Sequence, residues 1–95
     1  MRVKSVVRKI KVRVKGFTTI IVEIDKKSRE AYAYDTELSF NGSGILDKKG
    51  NLTAITNDIT TNYLECAMIK AFQYLRLKAK DIIPSPCNRK IEVVK

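Results

Sequence analysis

From Lys9 to Lys15 cationic and apolar side chains alternate without a break: Lys9, Lys11, Arg13 and Lys15 fall on one side of an extended chain, and Ile10, Val12 and Val14 on the other. A period of two marks a half-buried strand, so the segment predicts a strand with one wet, basic face. Upstream, Val3, Ser5 and Val7 have the opposite parity to Ile10, and keeping the apolar side inward calls for a one-residue bulge or bend near Val7 and Arg8. Lys15-Gly16 supplies a tight turn into a second strand, Phe17 to Ile24, whose Thr18, Ile20, Val22 and Ile24 share a face. After a turn at Asp25-Lys26-Lys27-Ser28, alternation resumes from Glu30 to Phe40. Tyr32, Tyr34, Leu38 and Phe40 fall on one side, and Ala31, Ala33, Asp35 and Glu37 on the other. Alternating aromatics in the middle of a meander predict a core under a helix, although the same residues would form a base-stacking platform if left open to solvent.

Asn41-Gly42-Ser43-Gly44 breaks the pattern and predicts a turn; with no Lys-Ser/Thr behind it, it is not a phosphate loop. Ile45-Leu46 and Leu52 to Thr56 form a short hairpin around Asp47 to Asn51. Leu64, Ala67, Met68, Ala71, Phe72 and Leu75 then recur at three and four residues, predicting a helix over 61–80. Thr60, Thr61 or Asn62 caps it, and Asn62 and Glu65 stand at capping-box spacing. Ile83-Pro84-Ser85-Pro86 cannot continue the helix, and Ile91 to Val94 predicts a last strand. The order β-β-β-β-β-α-β makes residues 1–95 a single α+β domain: an antiparallel sheet of about five to six strands with one amphipathic helix packed on one face.

Composition narrows the chemistry. Apolar residues make up 44% and charged residues 31% of the 95, the balance of a chain that folds. The longest apolar runs, such as Thr19-Ile20-Ile21-Val22, are far too short for a helix to cross a bilayer, and the N-terminus lacks the apolar core of a signal peptide, so a cytoplasmic protein without a membrane partner is expected. There is no histidine, and Cys66 and Cys87 are the only cysteines. A zinc site, a Cys-His nucleophile and a Ser-His-Asp triad each need residues the chain lacks, so no metal, cofactor or catalytic residue is assigned. The two cysteines leave open a Cys66–Cys87 disulfide and a buried Cys66 thiol, the state a reducing cytosol favours.

Charge is the most informative feature. Of a net +9, residues 1–15 carry +7, from Arg2, Lys4, Arg8, Lys9, Lys11, Arg13 and Lys15 with no acid among them. Cations on alternate strand positions are roughly 7 Å apart, close to the phosphate repeat of a nucleic-acid strand. This points to a non-enzymatic nucleic-acid-binding protein, DNA or RNA, with Lys4, Arg8, Lys9, Lys11, Arg13 and Lys15 on phosphates. Three alternatives stand beside it. The basic face can be a solvated surface whose lysines guard a sheet edge, or a docking face for an acidic protein partner. The lysine- and isoleucine-rich composition also matches proteins of hyperthermophiles, where charge serves stability. An apolar helix surface wider than one stripe, through Tyr63 and Ile69, leaves room for a homodimer.

A last constellation is Asp35, then the glycine-broken hairpin, then Thr60-Thr61-Asn62-Tyr63-Leu64-Glu65 opening the helix. This order, over residues 31–95, resembles the first half of ribonuclease H. The resemblance implies a related fold in which Asp35 and Glu65 would hold a divalent cation through hard carboxylate oxygens. The family's third acid, on the strand after the helix, has no Asp counterpart in Ile91 to Lys95, where only Glu92 is acidic. Taken from the residues alone, Asp35 is a surface strand residue and Glu65 a member of a capping box.

Overall fold

The computed structural model describes residues 7–35, 41–57, 63–80 and 89–94. Six strands and one helix follow in chain order: β1 (Val7–Val14), β2 (Thr19–Asp25), β3 (Glu30–Asp35), β4 (Asn41–Leu46), β5 (Leu52–Asn57), α1 (Tyr63–Tyr74) and β6 (Ile91–Val94). The strands form one sheet in the order β5-β4-β3-β2-β1-β6, every named pair antiparallel. The first five make a meander, and the chain then passes through α1 before β6 joins β1. The fold is thus the α+β arrangement that the periodicities predict.

The core lies between α1 and one face of the sheet. Leu64, Ala67, Met68, Ala71 and Phe72 of the helix are buried against Ile10, Val12 and Val14, against Ile20, Val22 and Ile24, and against Ala31, Ala33, Leu46 and Leu52. Burying each large aliphatic side chain contributes about 1.5–3 kcal/mol. The bulk is uneven: β1 and β2 supply branched residues, whereas β3 and β4 present alanine and glycine. A Cβ added at Gly44 would lie 2.6 Å from Leu52 Cδ1 and 3.0 Å from Met68 Sδ, so that glycine lets the helix sit close to the sheet.

Four expectations change. Asn41-Gly42-Ser43-Gly44 is not a turn but the first part of β4, paired with Tyr34 to Ala31 of β3; Gly44 looks turn-like in sequence but is small for the sake of packing. The helix ends at Tyr74 rather than near residue 80. Cys66, half-buried in α1, is disulfide-bonded and not a free thiol. A domain this small has little core to spare, and a crosslink lowers the entropy of its unfolded chain. Finally, β1 pairs with β2 in continuous register from Val7 to Arg13, so the expected bulge is not in this stretch; Val3 and Ser5 lie outside the described residues, as do Leu38, Phe40, Thr60, Thr61, Asn62 and Cys87. Among the described residues no helix is long and apolar enough to cross a membrane.

Candidate nucleic-acid interface

Register fixes which side chains share the face that α1 leaves open. Ile10 stands opposite Val22, Val22 opposite Ala33, and Ala33 opposite Gly42, so this row faces the helix. The neighbouring row, Lys9, Glu23, Tyr32, Ser43 and Thr56, faces the other way. One step further along the strands, Lys11, Ile21, Tyr34 and Asn41 form a second open-face row, with Val94 beside Lys11 at the β6 side.

The structure therefore reverses the expectation for β3. Ala31, Ala33 and Asp35 are buried under the helix, while Tyr32 is 45% exposed and Tyr34 half-buried on the opposite face. The cause is the length of the preceding turn. With Lys26 to Arg29 in the loop, Asp25 pairs with Glu30, and the even-numbered apolar positions of β2 meet the odd-numbered positions of β3. That signal was present in the sequence: the β-branched face of β2 together with a four-residue loop sets the inward side of β3 before any aromatic is considered.

Each tyrosine hydroxyl donates to a carboxylate, Tyr32 to Glu30 and Tyr34 to Glu23. These hydrogen bonds, helped by desolvation and by the charge of the acids, raise both phenol pKa values above the ordinary range. Both rings thus stay neutral and tethered. They line an open depression of about 460 Å³ together with Glu23, Ala33, Asn41, Gly42 and Ser43.

The predicted cations divide. Lys9, Lys11 and Arg13 are exposed and alternate along the open face of β1. Arg13 Nη2 donates to Glu92 Oε1 of β6 at 3.1 Å, an exposed ion pair worth about 0–1 kcal/mol; among the described residues Lys9 and Lys11 form no ion pair. Arg8 is also exposed but has the opposite parity, beside Ile24. Lys15 lies beyond the strand in the turn, where its N–H donates to the Lys90 carbonyl. Lys4 lies outside the described residues. β1 pairs with β2 over Val7 to Arg13 and with β6 over Lys11 to Val14, so Lys11 does not guard a bare edge, whereas Lys9 precedes the stretch that β6 covers.

Beyond the end of β1, Phe17 and Tyr63 pack with ring centroids 4.9 Å apart. Arg89 lies over the Tyr63 ring and donates to the Gly16 carbonyl at 3.1 Å, pinning the approach to β6 against the first hairpin. Asp35 is only 3% exposed, which corrects its assignment as a surface residue: the register that turns the tyrosines outward turns it inward. Glu65 occupies the first turn of α1. Among the described residues no cluster of three Cys, Asp or Glu side chains could hold a metal ion. Comparison of the chain with protein-family models, with curated proteins and with solved structures finds no match.

Proposed function

We propose that this protein binds nucleic acid without catalysing a reaction, through phosphate contacts from Lys9, Lys11 and Arg13 on the open face of the sheet. One observation carries the reading: three cations at alternate positions of β1 share a face with two tyrosines that α1 does not cover. A solvated surface accounts for the alternation along β1 but has no need of the aromatics. The cations neutralise phosphates. Sequence preference is not part of the proposal, because phosphate contacts position a nucleic acid without reading it. The same reading assigns the protein to the cytoplasm. A disulfide there is a feature of hyperthermophile proteins, whose lysine- and isoleucine-rich composition this chain shares.

Salt dependence tests the proposal. Three neutralised phosphates release condensed counterions, so the logarithm of the association constant should fall with the logarithm of salt concentration at a slope of roughly −2 to −3. Fluorescence anisotropy with labelled DNA and RNA measures it. Absence of binding to every probe at low salt would remove the proposal in favour of an acidic protein partner.

A further inference from the structure

We infer that the open face takes single-stranded nucleic acid, with one unpaired base stacked on Tyr32 and the next on Tyr34, an inference that rests on the phosphate-binding reading above. Register supplies the argument. Lys9 and Tyr32 belong to one row across the sheet with Glu23 between them, and Lys11 and Tyr34 to the next row with Ile21 between them. In both rows the cation and the ring stand two strands apart, about 10 Å, a gap that the flexible lysine stem narrows. The rows themselves are about 7 Å apart along the strands. Each row therefore repeats the same pair of groups in the same order, a cation for a phosphate and a ring for a base.

That repeat fits one kind of polymer. A duplex stacks its bases at intervals of about 3.4 Å and buries their faces, leaving none for a tyrosine ring. An extended single strand separates neighbouring bases and exposes their faces, and stacking on aromatic side chains is how such strands are held without regard to sequence. The acids on this face add direction. Glu23 of β2 and Glu30 of β3 hold the two hydroxyls and repel phosphates from the tyrosine side of the face, which leaves the nucleic-acid backbone over β1 and the bases over the tyrosines. Asn41 and Ser43, in the floor of the same depression, offer both donors and acceptors to base edges.

The experiment compares labelled oligothymidylate and oligouridylate with a duplex of equal length, using the intact protein and the variants Tyr32→Ala/Tyr34→Ala and Tyr32→Phe/Tyr34→Phe. The intact protein should bind single strands more tightly than duplex. Each ring lost to alanine should weaken single-strand binding by about 5- to 150-fold and leave duplex binding and the salt slope unchanged. The phenylalanine pair should keep its affinity. Intrinsic tyrosine fluorescence, unobscured because the chain has no Trp, should be quenched by oligothymidylate in the intact protein and far less in the phenylalanine pair. Should the alanine pair fail to fold, the phenylalanine pair and the quenching decide alone. Equal affinity for single strand and duplex, or an unquenched intact protein that still binds, overturns the stacking inference and spares the phosphate contacts. Failure of the intact protein to bind any probe overturns both.

Discussion

Asp47 holds the turn between β4 and β5 together. Its Oδ1 accepts from the backbone N–H groups of Lys49 and Asn51, both at 2.9 Å, and its Oδ2 meets Lys80 Nζ at 3.1 Å. The Asn51 N–H, with further help from Lys80, the Asn51 amide and Lys49, keeps the carboxyl well below the usual carboxylate range against a smaller opposing effect of desolvation. A depressed folded-state pKa contributes stability that is complete above the unfolded value of about 3.9 and is lost as pH falls through the folded value. Replacing Asp47 by Asn should therefore lower the melting temperature at pH 7, and the gap to the intact protein should narrow below about pH 4. Thermal melts at several pH values check this; a gap independent of pH would mean that the charge does not matter.

At the scale of elements, α1 ends for a local reason. Leu77 N–H donates to the Phe72 carbonyl at 2.8 Å and Arg76 N–H to the Gln73 carbonyl at 2.9 Å, the paired hydrogen bonds of a Schellman motif. Arg76 occupies the left-handed position with φ of 62°, where glycine is the usual residue. Arg76→Gly should relieve that conformation and, after the extra entropy of an unfolded glycine, stabilise the protein by about 0.5–1 kcal/mol, a rise in melting temperature of roughly 2–8 °C. A lower melting temperature would show that the arginine side chain contributes more than its backbone costs. The motif also explains why periodicity overran the helix. Leu75 and Leu77 are apolar and pack against the core, so the hydrophobic signal continues past a stop that only the arginine's backbone reveals. Strand β1 was legible because branched and charged residues alternate in it, and β2 and β6 because branched residues dominate them. β4 was not, since Gly44 answers to the neighbouring Leu52 and Met68 rather than to local preference. Of the candidate site, the cations of β1 could be seen in the sequence, while the outward turn of Tyr32 and Tyr34 depended on the register across a loop.

At the scale of the whole molecule, one helix covers one face of a six-stranded sheet, and the uncovered face divides by strand. Cations stand on β1, aromatics on β3, and the acids beside the rings are engaged by tyrosine hydroxyls. A net charge of +9 alone would draw any polyanion weakly to many places, whereas this division predicts one place. The most direct test compares two variants of equal net charge, Lys9→Glu/Lys11→Glu on the open face and Lys48→Glu/Lys49→Glu in the turn after β4, where both lysines are exposed. Anisotropy titrations with a labelled single strand at fixed salt, on variants whose circular dichroism matches the intact protein, give the affinities. The open-face pair should lose binding by tenfold or more relative to the turn pair. Equal losses in the two would contradict the assignment of the open face.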